Sequence, residues 1–356
     1  MKVLFITRKY PPQIGGMEKY SYELIRHFPT EKEVIALRKS QLHLIWFLPY
    51  ALVMGLFLAR QVDLVHLGDG LLAPLGWIIK KISGKPAVVT VHGLDVIYDK
   101  WLYQSVCASA LKNLDKVIAV SESTKQECLQ RGVSADKCVV VPNGVVVKET
   151  DASYSRSDLT KLLGANIGNK KVLLTVGRLV PRKGVVWFIE NVLSQLENVV
   201  YVVVGRGSEE KKIRRIVENK KLEDKVFLLT GIVDDQLEIL YHTADLFIMP
   251  NVKVKGDREG FGLVALEAAA RGLVVVAAAL EGIQEAIANN QNGILIEAEN
   301  GEEFAETSQN LLADDRRRQE LSRRAREYTL TNFSWDKIAE RYFDEISKLV
   351  GIKSKK

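Results

Sequence analysis

The feature that most limits how this chain folds is a repeated rhythm. A short apolar run is followed by a glycine-bearing turn and then by a longer stretch of helical character. Val3–Ile6, Val62–Leu67, Pro86–Val91, Lys116–Val120 and Val139–Val141 carry the rhythm through the first part of the chain. Lys171–Val176, Val199–Val204 and Val226–Leu229 carry it through the second. Runs this short, apolar on both faces, are typical of parallel strands with helices packed above and below. The expected fold class is therefore α/β. At 356 residues the chain is long for a single core, so two domains are expected. Residues 1–147 form the first, 148–334 the second, and 335–356 a terminal helix. The polar run Lys148–Asn169 reads as a linker merging into the start of the second domain.

Charge is distributed unevenly. Residues 1–147 hold 18 Lys and Arg against 12 Asp and Glu, whereas the remainder is balanced at 32 against 32, so the whole net charge of +6 lies early in the chain. A basic first domain points to an anionic partner: a phosphorylated acceptor or an anionic membrane surface. Nucleic acid is not expected, since no RRM, zinc-finger or helix-turn-helix signature occurs. The three cysteines, at spacings unlike any metal or redox motif, suggest reduced thiols in a cytoplasmic setting. Met1–Thr7 has too short an apolar run for a signal peptide and reads as a first strand.

Leu44–Ala59 is the most hydrophobic stretch. Sixteen helical residues reach only ~24 Å against a hydrocarbon core of ~30 Å, and Pro49 and Gly55 interrupt the run. A buried helix of the first domain is the leading expectation. An interfacial helix dipping Trp46, Phe47 and Tyr50 into a bilayer is the alternative.

Ligands of open α/β sheets bind beyond the carboxyl ends of the strands, so the residues there are the candidates. In the first domain these are Gly15-Gly16 at a loop-to-helix turn, Asp69 after one strand and His92 after the next. In the second, Gly177-Arg178-Leu179-Val180-Pro181-Arg182-Lys183-Gly184 sets Arg178 and Lys183 at a strand end and near a helix start. An Arg and a Lys so placed suit a diphosphate, the first binding oxygens bidentately and the second as a compact charge. Gly205-Arg206-Gly207-Ser208 follows the next strand. Because Glu210 stands where a dinucleotide motif needs its third Gly, a nicotinamide dehydrogenase is disfavoured. Asp234 is expected to cap a helix running to His242.

The most informative stretch is Arg258-Glu259-Gly260-Phe261-Gly262-Leu263-Val264-Ala265-Leu266-Glu267. Gly260 and Gly262 let a ligand approach the backbone at the start of an apolar helix whose free amides attract anions. Glu259 lies in the turn. Glu267 is expected roughly two turns into the helix, with Leu263, Val264 and Ala268 facing the core. On residues alone, a capped core helix with one exposed acid competes with a site that grips sugar hydroxyls and phosphate together.

Strand, loop, glutamate turn, helix and strand in this order resemble the nucleotide-sugar site of family-four retaining glycosyltransferases, and the resemblance covers nearly the whole chain. It implies the GT-B fold, in which two Rossmann-like domains face each other across a cleft and a C-terminal helix returns to the first. It further implies a UDP- or GDP-sugar donor, a lipid-linked or cell-envelope glycan acceptor, and no cofactor or metal. The absence of any Asp-X-Asp agrees with the last point. By position, Arg178 and Lys183 would hold the donor diphosphate and Glu259 the sugar. Glu267 would hold the ribose, the backbone at Gly177, Gly205, Ile232, Val233, Gly260, Phe261, Gly262 and Leu263 would line the donor, and His92 would contact the transferred sugar. Gly15 and Gly16 would lie by the donor's phosphates and the acceptor, while Asp69 is a substrate-binding candidate from its strand end alone. In such enzymes the departing phosphate itself takes the acceptor's proton, so no separate base is needed. A GT-B epimerase, a glycoside phosphorylase and a non-catalytic nucleotide-sugar-binding protein stay open as alternatives. Two departures stand out: Glu281-Gly282-Ile283-Gln284-Glu285 replaces the usual Gly-Gly-Ile-Pro-Glu, and Val274 often is Pro. Leu311–Tyr328 reads as one charged amphipathic helix, and Phe333-Ser334-Trp335-Asp336 opens a last helix, Lys337 to about Val350. The tail Lys353-Ser354-Lys355-Lys356 reads as frayed or in contact with anionic lipid.

Overall fold

The computed structural model describes residues 1–13, 15–98, 100–146 and 154–351. The expected boundary at 147/148, the first part of the linker (148–153) and the lysine-rich tail lie outside the described residues. The chain divides into two compact units, one of Met1–Gly144 with Phe333–Lys356 and one of Val145–Asn332.

The first unit is built on β1 (Lys2–Thr7), β2 (Glu31–Ala36), β3 (Leu64–Leu67), β4 (Ala87–Val91), β5 (Lys116–Ala119) and β6 (Cys138–Val140). They form one parallel sheet in the order β2-β1-β3-β4-β5-β6. Val3, Leu4 and Ile6 are fully buried, as an inner strand covered on both faces requires. The second strand was not anticipated. Its charged start, Glu31-Lys32-Glu33, suits an edge, where charge discourages pairing with other chains.

Helix α1 (Gly16–His27) follows β1, and α2 (Leu44–Ala59) and α3 (Ala73–Ser83) pack side by side before and after β3. Pro74 in its first turn and Gly84 in the left-handed conformation at its end define α3, which the sequence reading passed over. Neither Pro49 nor Gly55 interrupts α2. Gly55 has a packing role: a Cβ there would lie 2.6 Å from Ile79 Cδ1, so its absence lets α2 and α3 approach. The expected buried helix is only partly buried: Phe47, Ala51, Gly55 and Ala59 lie in the core, Leu44, Leu48, Leu52, Met54, Leu56 and Leu58 pack half-buried against it, and the remaining face is exposed. Of the three residues proposed to meet a bilayer, Trp46 and Tyr50 are exposed and Phe47 is not. Gln41–Ala59 together is 19 residues, and an 18-residue window within it has a mean hydropathy of 2.0, long and apolar enough to cross a membrane by length and composition. The helix nevertheless packs against β1 and β2 through its one buried stripe.

The last helix, Trp335–Ser347, belongs to this unit. Its Tyr342 hydroxyl is bonded to Tyr20 of α1 and lies 3.2 Å from Thr90 Oγ1 of β4, all three being buried. The ring of Trp335 fills the space over Gly144, where a Cβ would come within 2.5 Å of it.

The second unit repeats the design with β7 (Lys171–Val176), β8 (Val199–Val204), β9 (Val226–Leu229), β10 (Leu246–Met249), β11 (Val274–Ala278) and β12 (Ile294–Ile296), all parallel in the order β12-β11-β10-β7-β8-β9. Within the expected linker, Arg156–Leu163 is a helix. Ser155 and Asp158 close a capping box at its start and Gly164 ends it in the left-handed conformation, so local capping outweighs the polar composition. The single helix expected over Leu311–Tyr328 is two, Gly301–Ala313 and Asp315–Phe333. Asp234 lies inside the helix Asp234–Thr243, with Val233 in the cap position; the Val233 amide donates to Gln236 Oε1 at 3.2 Å.

Candidate active site

In the second unit the strand order reverses between β7 and β10, and such a switch point opens a crevice at the strands' carboxyl ends. The loop after β7 brings Arg182 and Lys183 there, and the loop after β10 brings Asn251, Asp257 and Glu259. These side chains meet. Glu259 Oε2 accepts from Lys183 Nζ at 2.6 Å, from Asn251 Nδ2 at 3.1 Å and from the Arg182 guanidinium. Arg182 Nε also donates to Asp257 Oδ1 at 2.9 Å. Lys183, Arg182 and Asn251 are all buried.

The electrostatics follow from burial working against pairing. Burial alone would raise the Glu259 pKa, but Lys183 and Arg182 outweigh it and hold the carboxyl below its ordinary value. Lys183 is shifted downward: loss of solvent dominates, Arg182 and Arg178 add to it, and Glu259 offsets it only in part. The site thus keeps an ionised carboxylate beside cations whose charge is incompletely neutralised. Asn251 adds a second asymmetry, since its Oδ1 is buried without a hydrogen-bond partner, and a buried acceptor in that state costs about 1–3 kcal/mol.

Backbone geometry supports this arrangement. Gly184 has φ +65°, and a Cβ there would lie 1.8 Å from Pro250 O, so the two loops touch through their main chains. Gly177 and Gly205 are as close: a Cβ on Gly205 would lie 1.8 Å from Gly177 O. Gly262, at φ +73°, precedes the helix Leu263–Ala270. Ala268 is buried as expected, together with Ala265, Leu266, Ala269 and Ala270, whereas Leu263 and Val264 are only half-buried, which corrects the expected facing of those two. Glu267 lies little more than one turn into the helix, not two. It is half-buried and accepts from Tyr241 Oη at 3.4 Å. Arg178 is exposed at the end of β7 and close enough to Lys183 to lower its pKa. Ile232 and Val233 lie on the turn after β9, with Val233 exposed.

Sequence reasoning singled out Lys183 and Glu259 but missed Arg182, Asn251 and Glu281. Arg182 is adjacent to Lys183, so the paired basic residues were the available signal. Glu281 occupies one of the two unusual positions of its turn. It has φ +45°, the region glycine favours, and its Oε2 accepts the Glu259 amide at 2.6 Å.

In the first unit the order reverses between β1 and β3. Here Arg8 Nε donates to Asp69 Oδ1 at 3.1 Å, and Asp69 is fully buried. Burial raises the Asp69 pKa in spite of Arg8. His92, after β4, contacts Gly68 O through Nε2 at 3.1 Å and packs edge-on to Tyr20 at 4.7 Å. Asp95 ties the two strand ends together, accepting from the amides of His92 at 2.7 Å and Gly70 at 2.9 Å. Gly15 and Gly16 begin α1. The Glu18 carboxylate stands over Gly15, and its Oε1 pairs with Lys9 at 3.0 Å, while space over Gly16 is open.

Comparison with known proteins matches these two units separately. The family described as "Glycosyl transferases group 1" matches residues 164–328, and "Glycosyltransferase Family 4" matches residues 30–149. An uncharacterized glycosyltransferase of Methanocaldococcus jannaschii is 27% identical over 96% of each chain. The GDP-mannose-dependent alpha-(1-6)-phosphatidylinositol monomannoside mannosyltransferase of Mycobacterium tuberculosis is 25% identical over 96% of this chain and 97% of its own. Among solved structures, Anabaena HepE in complex with UDP superposes with a TM-score of 0.76, at 22% identity, over 98% of this chain and 100% of that one. The fold is GT-B, and the chain belongs to the group 1 glycosyltransferase family.

Proposed function

We propose that this glycosyltransferase moves a hexosyl group from a nucleoside-diphosphate sugar to a lipid-linked acceptor, with retention of anomeric configuration and without a metal ion. The observation that carries the donor half is the buried cluster of Glu259 with Lys183, Arg182 and Asn251 at the switch point of the second unit. Lys183 and Arg178 neutralise the diphosphate, with help from the amides at Phe261-Gly262-Leu263. Glu259 orients the sugar hydroxyls, Asn251 Oδ1 accepts one of them, and Glu267 holds the ribose. His92, Asp69 and the Gly15-Gly16 turn, at the strand ends of the first unit, are assigned to the acceptor.

As the C1–O bond to the β-phosphate breaks, its electron pair goes to the phosphate oxygen. The acceptor oxygen bonds to C1 on the same face, and its proton passes to that phosphate oxygen. Fixed cations facing the developing charge lower the barrier because they need no reorganisation during the reaction.

The mannosyltransferase relative acts on a phosphatidylinositol mannoside, and this chain's basic first unit and exposed Trp46 and Tyr50 suit work at the inner face of a cell membrane. The donor reading is tested by thermal shift against UDP, GDP, ADP and their sugar conjugates in EDTA. A ligand at 100 times its Kd adds about 2.7 kcal/mol. One base standing out without metal is the expected result, and a flat response to all would refute the donor site. Flotation with phosphatidylglycerol vesicles is expected to show binding that weakens with salt; no binding at low salt would refute the surface role.

A further inference from the structure

The outer face of α2 is apolar and has no partner among the described residues. Leu42, Ile45, Trp46, Tyr50, Val53 and Phe57 all face solvent, Trp46 at 77% exposure. Beyond the neighbouring helix, Trp101 is 81% exposed. Contiguous apolar surface of this kind marks an interaction site. Within the same face lies a groove of about 750 Å3, bounded by α2, α3 and the segment Lys100–Cys107, a volume in the range of sites that hold a small molecule. Leu48, Leu52, Leu71, Leu75, Ile78 and Val106 are its main lining. Among the described residues Lys100 is the one charged side chain on it, and the Tyr103 hydroxyl is turned to Asp95 O. A cavity with so few polar groups has little to offer water. Part of its wall is a π-helical turn over Gln104–Ala108, a distortion that concentrates at functional sites.

Three observations identify the occupant. First, the groove adjoins the half-site of the first unit. Leu71 follows Asp69 by two residues, and Tyr103 holds the main chain of Asp95, whose carboxylate fixes His92 and Gly70. Second, the surroundings are basic. Residues 37–107, which span its three walls, contain seven Lys and Arg against four Asp. Of the four, Asp69 is buried against Arg8, Asp63 accepts the Lys2 amide, and Asp95 accepts the amides of His92 and Gly70. Lys81 lies over the Trp77 ring at 5.7 Å, a pairing suited to an anionic interface. Third, the length is that of one leaflet. Leu44 to Leu52 spans about 12 Å of helix, and half of a ~30 Å hydrocarbon core is about 15 Å. A much longer polyisoprenoid would overrun it.

We infer that this groove holds one acyl chain of the phospholipid that carries the acceptor hydroxyl, with Lys100 at its phosphate and its head group toward Asp69 and His92. The inference rests on the reading of a lipid-borne acceptor. It makes the lipid tail part of what the enzyme recognises, and it draws the acceptor partly out of the bilayer.

The test uses the full chain with phosphatidylcholine vesicles containing phosphatidylglycerol that bears a diazirine at the end of one acyl chain. After irradiation the labelled peptides are mapped. Label is expected on Leu44–Leu52, on Leu71–Ile78 and on Tyr103–Cys107. Val106→Trp and Ile78→Trp, bulky changes at partly exposed groove positions, are expected to cut label on the other two walls at least five-fold while vesicle binding persists. Label confined to the outer face of α2, or unchanged label in both variants, would overturn the inference and leave surface docking alone. A concentration-dependent dimer that excludes the label would overturn it in favour of a second copy as the occupant. Nucleotide thermal shifts on the same samples separate the two readings. A labelled groove with no nucleotide shift sinks the transferase mechanism and keeps the groove, whereas a nucleotide shift with an unlabelled groove does the reverse.

Discussion

Replacing Glu259 by Gln probes the candidate site and the stability of the second unit at once. The substitution keeps shape and the bond from Asn251 but removes the charge shared by Lys183 and Arg182. Arg182 retains Asp257, so its loss is partial; Lys183, buried, is left with no carboxylate among the described residues. Removing one partner of a buried pair costs about 3–5 kcal/mol. For a unit of 150–250 residues each kcal/mol corresponds to roughly 2–4 °C, so the transition of Val145–Asn332 is expected to fall by about 6–20 °C. The loss has a pH signature. Lys183 in the folded state titrates below its ordinary value of 10.5 because of burial, and without Glu259 it titrates lower still. The unfolded chain then binds the extra proton, so the deficit is largest near neutrality and shrinks as pH rises toward 10.5. Adding Lys183→Met to Glu259→Gln is expected to restore part of the stability, because the uncompensated charge is gone. Scanning calorimetry of the three variants between pH 7 and 10 measures all of this. A single-variant shift under about 2 °C, or a double variant less stable than either single one, would refute the account.

Three further outcomes are expected. Lys183→Ala should lower kcat by about 10²–10³ with little change in acceptor KM, if the lysine faces charge that develops only during transfer; steady-state kinetics at saturating donor would show it. In wild type, His66 is buried and its pKa is pushed down to about 3, first by burial and then by His92. The first unit should therefore lose about 1.4 kcal/mol per pH unit from 6.5 downward toward 3, relative to His66→Gln, in paired urea melts. Gly184→Ala should destabilise by more than 2 kcal/mol, since it combines a left-handed φ with a Cβ 1.8 Å from Pro250 O; a neutral melt would mean the two loops are not in contact.

Much of the architecture was legible because buried parallel strands advertise themselves. Lys171–Val176, Val199–Val204 and Val226–Leu229 were read to the residue, since each is apolar and ends at a glycine or at a polar turn. What escaped was governed by context. The strand Glu31–Ala36 is charged because it is an edge, and the Arg156–Leu163 helix is polar because capping and one buried face suffice for it. The half-exposure of α2 was invisible because a helix apolar all round has no sequence signal for which side is covered. In the candidate site, Lys183 and Glu259 carried positional signals, whereas the convergence on Glu259 of Arg182, 77 residues away, and Glu281, 22 away, depends on separate loops, and that of Asn251 on how its own loop folds back. Glu281 shows how a departure can be informative. A residue that strains its backbone at φ +45° also gives the glutamate loop a hydrogen bond that glycine would not.

The membership of Trp335–Ser347 in the first unit has a consequence for biogenesis. The first unit is discontinuous, and its Tyr20–Thr90–Tyr342 network joins residues more than 300 positions apart. At a ribosomal rate of about 5–20 residues per second, the stretch between the two parts takes roughly 10–40 s to emerge. The nascent sheet of β1 to β6 must wait through that interval with its Thr90 side bare, while Val145–Asn332, being continuous, can close as soon as it clears the exit tunnel. The order of completion is thus the reverse of the order of synthesis, and the apolar face left open in the meantime is the one a chaperone would be expected to shield.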